Sequence, residues 1–166
     1  MKILVAYLSE TGNTEKVAQE IFDSIPGEGK ELLPLDVVPG TGDYDLIFCG
    51  FPVQVHSVPP KVETFIRTIP KGKKVAFFTT HGSLRGGERA VSAFHQLAGI
   101  GKDLKILGTF GARGKVKMAL LDALSQKPEH RAWVDEARTA ATHPDDADLQ
   151  DAREFVKDIL LKARHG

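Results

Sequence analysis

Between the first apolar run of this chain and its first helical stretch lies Ser9-Glu10-Thr11-Gly12-Asn13-Thr14, which sets three hydroxyls, an amide and one glycine within a single loop. A loop of this kind feeding a helix is suited to hold an anion. The first N–H groups of a helix have no intrahelical partner, the dipole is positive there, and hydroxyls add donors. The loop carries no Lys or Arg, which points to neutral hydrogen bonding around one phosphate. Neither GxxxxGK[ST] nor GxGxxG occurs, so sites for nucleoside triphosphates and for Rossmann dinucleotides are disfavoured. Plain turn chemistry uses the same residue types, with Thr11 or Asn13 capping the helix, and remains the alternative.

A loop of this kind must be carried by a strand and a helix, and the sequence supplies both repeatedly. Lys2–Leu8, Asp45–Gly50, Lys74–Thr80 and Leu104–Phe110 are near-continuous apolar runs, as expected for strands buried on both faces. Glu31–Leu35 is a weaker fifth run, and Pro34, which cannot donate to a ladder, places it at an edge. Helical periodicity marks Thr14–Ile25, Pro60–Ile69 and Glu88–Ala98 between the strands, then Val116–Gln126 and Asp145–Ala163 on either side of a polar segment containing Trp133. Strand and helix in alternation predict an α/β fold, a doubly wound parallel sheet, over a single domain spanning 1–166. Ligands in such sheets sit beyond the carboxyl ends of the strands.

Composition narrows the function. Among 166 residues, 22 Lys+Arg balance 22 Asp+Glu, so no global field holds nucleic acid or an anionic membrane. The only cysteine, Cys49, lies inside an apolar strand and cannot form an internal disulfide or a CxxC pair, which fits a reducing cytoplasm. Ile3–Leu8 is far short of the roughly 20 residues of a membrane helix and lacks a cleavage site, so neither membrane insertion nor export is expected. His95, His130, His143 and His165 lack the i, i+4 pairing of helical metal sites, and no metal is expected.

The strand order together with Ser9, Thr11, Gly12 and Thr14 resembles the flavodoxin-like family, whose phosphate loop reads roughly [ST]-x-T-G-x-T. The resemblance implies a five-stranded sheet of order 2-1-3-4-5, with extra C-terminal helices here, and FMN at the switch point between the first and third strands, where the strand order reverses. It implies that Ser9, Thr11, Gly12, Asn13 and Thr14 bind the FMN phosphate. It places the isoalloxazine between two further loops. The first, Phe51-Pro52-Val53-Gln54-Val55-His56-Ser57-Val58-Pro59, mixes apolar residues with Gln54 and His56 as polar handles. The second, Thr79 to Gly87, offers Thr80 to the ribityl chain, with His81, Gly82 and Gly86 beside the ring.

Two departures bear on what such a protein does. Between Phe51 and Pro60 there is no Gly, Trp or Tyr, whereas carrier flavodoxins usually bracket the flavin with Trp and Tyr and flip a glycine peptide to stabilise the one-electron-reduced ring. Positive φ at a residue bearing a Cβ costs roughly 1 kcal/mol, and more when it is β-branched like Val53 and Val55. Carrier flavodoxins are also markedly acidic, and this chain is neutral. The expectation is an FMN-binding redox protein that passes electrons to a redox partner protein or a small-molecule acceptor. The alternatives are an NAD(P)H-dependent FMN reductase acting on a quinone or similar acceptor, and a flavin-free binding or regulatory module. Arg113 is read either as reaching the ligand or as an ordinary loop residue. Trp133 is expected to pack on the sheet, with cofactor cover and a partner anchor as alternatives. His143-Pro144-Asp145-Asp146 reads as a helix start with Pro144 in the first turn.

Overall fold

In the computed structural model, residues 1–54, 57–84 and 88–165 are described, with the side chains of 88–90 outside that description. The strands are β1 (Ile3–Tyr7), β2 (Lys30–Pro34), β3 (Leu46–Pro52), β4 (Lys74–His81) and β5 (Lys105–Arg113). They form one parallel sheet in the order β2-β1-β3-β4-β5, the order expected from the sequence. β2 lies at an edge and ends at Pro34, opposite Tyr7, where a missing N–H costs no ladder bond on the outer side.

The helices are α1 (Asn13–Ser24), α2 (Pro60–Thr68), α3 (Glu88–Ile100), α4 (Met118–Ser125), α5 (Arg131–Arg138) and α6 (Asp146–His165). Alternation along each strand sends successive side chains to opposite faces. Ile3, Val5, Phe48 and Phe78 therefore pack with Val17, Ala18 and Ile21 of α1 and Val156 and Ile159 of α6. Leu4, Ala6, Ile47, Cys49 and Phe77 pack with Val62 and Ile66 of α2 and Leu97 of α3 on the other face. α1 stops before Pro26, whose ring disfavours helix at the residue ahead of it, and α2 opens with Pro60, whose missing N–H is spare at that position.

The structure differs from the sequence reading mainly beyond β5. The segment with Trp133 is not a polar connection: Pro128–His130 forms a 3-10 turn and Arg131–Arg138 is α5. Eight residues are too few for a convincing period, although Val134 and Ala137 do face inward with Leu121 of α4. β3 and β4 also run further than expected, to Pro52 and His81, so Phe51, Pro52 and His81 are strand residues, not loop residues. Pro144 lies just outside α6. Asp145 caps that helix instead, its carboxylate accepting the N–H of Asp148 at 3.0 Å while Asp148 accepts that of Asp145 at 3.0 Å.

Candidate functional site

At the carboxyl end of the sheet, the loop after β1 turns into α1 through Gly12, whose φ of +88° is left-handed. Only glycine adopts that conformation without steric cost. Gly12 is the N-cap residue, and no side chain caps α1. Neither Thr11 nor Asn13 does the capping that ordinary turn chemistry would ask of it. Ser9 Oγ accepts the N–H of Gly12 at 3.1 Å, and Thr11 Oγ1 accepts from Asn13 Nδ2 at 3.1 Å. The side chains of the loop thus brace one another and leave the positive end of α1 without a side-chain acceptor, as an anion-binding turn requires. Thr14, almost fully buried, shares a hydroxyl–hydroxyl bond of 2.7 Å with Thr80 of β4. One of the two protons is used between them and the other is left to donate elsewhere.

Beside this turn lies a cavity of about 750 Å³, well within the range that holds small ligands and cofactors. One wall comes from loops and strand ends read from the sequence, including Thr11, Asn13, Pro52, Val53, Gln54, Thr80, His81 and Gly82. Pro52 and Thr80 are register partners on the α1 face, which is why both reach it. Gln54 Nε2 donates to Glu10 Oε1 at 2.5 Å, and both residues line the cavity. His81 is buried, and its Nδ1 lies 2.9 Å from the carbonyl oxygen of Ser83, which can only accept, so that nitrogen carries the proton.

Several expected site residues stand elsewhere. Phe51 does not reach the cavity: odd positions of β3 point to the opposite face, and its ring is fully buried with Cys49 and Val62. Ser9, Gly12 and Thr14 build the turn next to the cavity but do not line it. His56 and Gly86 lie outside the described residues.

Of the other wall, the sequence reading offers only Trp133, as an alternative cofactor cover. Lys115, Val116, Lys117, Leu120, Leu124, His130 and Trp133 reach the cavity from α4, α5 and the segment leading to them. Two of these residues, Lys115 and Lys117, are exposed lysines, whereas the loop after β1 has none. Trp133 is half-buried, packs beside Leu121 and Val134, and donates from Nε1 to Ser83 Oγ at 3.2 Å. It therefore belongs to a small satellite core and to the cavity, and not to the packing on the sheet. Arg113 is a buried tie. Its guanidinium donates to the carbonyls of Gly82 and Ser83 at 3.3 Å, to that of Glu136 at 3.0 Å and to Thr139 Oγ1 at 2.8 Å. The Leu84 N–H donates to Glu136 Oε1 at 2.6 Å. These bonds fasten the turn after β4 to α5. Asn13 makes the matching tie from the α1 side, donating to the Lys115 carbonyl at 2.9 Å. A Cβ at Gly114 would lie 2.8 Å from that amide nitrogen, so the neighbouring position admits only glycine without displacing Asn13.

Titration follows from this packing. Burial first, then the hydrogen bond and negative charge of Glu15, raise the Tyr7 phenol above its ordinary value. Burial alone pushes the Cys49 thiol up to about 12, as expected for an inert core thiol. His143, Asp145 and Asp148 bring ligand atoms within 4.8 Å of one another. The capping of α6 and the His143 Nδ1 contact to Asp148 account for that geometry. Among the described residues no helix is long and apolar enough to cross a membrane.

A doubly wound sheet of this order, with a helix start that no side chain caps at its switch point, defines a class, and a flavodoxin-domain family model matches residues 4–157. The chain belongs to the flavodoxin-like family. It is similar to the flavodoxin-like domain-containing protein BilS of Clostridioides difficile (strain CD3), 31% identical across an alignment of 175 residues that covers 98% of each chain. Among solved structures it superposes on a flavodoxin from the domain Archaea with a TM-score of 0.65 at 19% identity, over 99% of this chain and 100% of that one. A flavoprotein in complex with FMN from Lactobacillus acidophilus NCFM gives a TM-score of 0.54 at 19% identity, over 66% of this chain and 92% of that one.

Proposed function

We propose that this chain binds FMN non-covalently and transfers electrons, as a carrier or as the flavin subunit of a redox partner. The observation that carries the reading is the start of α1, which has no side-chain cap and opens beside a cavity of about 750 Å³. The residues fit such a group. Thr11, Asn13 and the first N–H groups of α1 would hold the phosphate, with Ser9 bracing Gly12 in the turn. The hydroxyl pair of Thr14 and Thr80 links that turn to β4 and fixes its distance from the sheet end. Pro52 and Val53 offer an apolar surface to the ring, and Gln54 offers an amide to its polar edge. When bound, the flavin supplies the redox chemistry, and the protein sets its environment by burial and hydrogen bonding. Family membership and the FMN complex of a structural relative support the same reading.

A second reading, NAD(P)H-dependent reduction of a quinone or similar small acceptor, is favoured by the wall formed by Leu120, Leu124 and Trp133, which encloses extra space beside the turn. Reductive titration separates the two. Bleaching in two resolved one-electron steps supports the carrier, and direct two-electron bleaching by NADPH supports the reductase. The common ground is tested first: purified protein is expected to be yellow or to take up added FMN, and colourless protein that refuses FMN would overturn both readings. Thr11→Ala is expected to weaken FMN binding by about 1–3 kcal/mol, the cost of losing a hydrogen bond to a charged group. Unchanged affinity would remove the phosphate from this turn.

A further inference from the structure

A flavin ring is flat and needs apolar surface against its faces. Pro52 and Val53 offer some of it. The segment between Phe51 and Pro60 adds no Trp or Tyr, and Phe51 itself is fully buried on the other side of the sheet. Among the described residues that line the cavity, Trp133 is the only Phe, Tyr or Trp, and it comes from α5.

The indole is held close to the turn that follows β4. A Cβ at Gly82 would lie 2.5 Å from Val116 Cγ2, 3.4 Å from the Ala137 methyl and 3.6 Å from Trp133 Cζ2. Glycine at 82 thus lets α5 and the segment after β5 close onto the end of β4, where Thr80 is the register partner of Pro52. Trp133 Nε1 donates to Ser83 Oγ at 3.2 Å, which uses the one polar group of the indole and leaves the rest of the ring as apolar surface. Arg113 fastens the same turn to α5 independently of the indole, through the carbonyls of Gly82, Ser83 and Glu136. The ring is therefore in place before any ligand arrives, and its ordering cost falls on folding and not on binding.

We infer that the indole of Trp133 forms an apolar face of the flavin ring's site, so that α5 supplies the aromatic surface that the loop after β3 lacks. Trp133 is then a cofactor-binding residue, and Ser83 and Arg113 are positioning residues that act through it. This assignment rests on the flavin reading and holds for its carrier and reductase forms alike.

The test takes the FMN-loaded chain and follows the emission of the bound flavin. Dissociation constants are measured by equilibrium dialysis for FMN and for riboflavin, which has the same ring and no phosphate. An indole in van der Waals contact quenches flavin emission, whereas a phenyl or isobutyl group does not, so Trp133→Phe and Trp133→Leu are both expected to brighten the bound flavin. Trp133→Leu is expected to weaken FMN and riboflavin by the same factor, about tenfold or more. Trp133→Phe, which keeps an aromatic face but not the N–H, is expected to recover most of that loss. Flavin that stays dim in the Phe variant, or wild-type affinity in the Leu variant, would overturn the assignment. So would a loss confined to FMN, because Trp133 would then act on the phosphate end through the tie between Asn13 and Lys115. Equal losses in the two variants would overturn it as well, assigning the effect to the hydrogen bond with Ser83. Should the Leu variant fail to fold, the emission of the Phe variant decides. FMN uptake by the wild-type chain in any of these cases leaves the flavin reading standing, and no uptake removes both.

Discussion

The sheet and the α4–α5 insert hold themselves together by different means. Around the sheet, two clusters of fully buried side chains press α1 and α6 on one face and α2 and α3 on the other. The insert keeps only Leu121, Val134 and Ala137 fully inside. What joins it to the rest is directional: Arg113 to four acceptors, Glu136 to the Leu84 N–H, Trp133 to Ser83 and Asn13 to the Lys115 carbonyl. Apolar area is non-directional and resists unfolding as a whole, whereas hydrogen bonds fix a position at modest net energy. The sheet therefore supplies stability, and the insert supplies placement of one cavity wall.

The largest effect expected from this difference is at Phe78, fully buried and crossing the α1 face. Phe78→Ala should lower global stability by about 3–5 kcal/mol, read in denaturant titration. Arg113→Ala should cost roughly 1.5–3 kcal/mol, and the more telling measurement is hydrogen exchange. Amides of residues 82–84 and of α5 are expected to lose protection while those of β1, β3 and β4 keep theirs. Equal loss in the sheet would show that the insert is not a separate unit. Thr79→Val should act in the opposite direction. Its Oγ1 is buried with no hydrogen-bond partner among the described residues, so an isosteric methyl is expected to raise stability by about 1 kcal/mol and with it Tm. A fall in Tm would reveal a partner for that hydroxyl.

The smallest effect lies at the sheet edge. Tyr44 donates to Glu31 Oε2 at 2.9 Å and, with Lys2 adding a lesser pull, holds the Glu31 carboxyl below its ordinary value. A lowered carboxyl pKa contributes stability that is present above the unfolded value and is lost as pH falls through the folded one. Tyr44→Phe is therefore expected to flatten the acid limb of the stability–pH curve slightly, without moving it near neutrality. An unchanged acid limb would mean that this half-buried pair contributes nothing measurable.

The fold is legible in the sequence because its signals are local and strong. β1, β3 and β4 are buried on both faces and so read as unbroken apolar runs, and Pro34 marks the edge by chemistry any sequence shows. The turn into α1 is legible for the same reason, as six consecutive residues. The second wall is not. Lys117, Leu120 and Trp133 lie far along the chain from that turn, and α5 is too short to display a period. The partners of Arg113 are mostly backbone carbonyls, which leave no trace in side-chain identity. Phe51 faces away from the cavity because strand alternation decides its face, and that depends on where β3 ends, which the run of apolar residues does not mark.

Cys49 sits at the middle of β3, opposite Ala6 and Phe77, with no exposed surface and its thiol pushed up to about 12. As the chain's only cysteine, it is shielded from alkylating reagents until the sheet around it opens. The rate at which a thiol reagent tags it is thus a clock for that opening, and any ligand that binds the closed form will make the clock run slow.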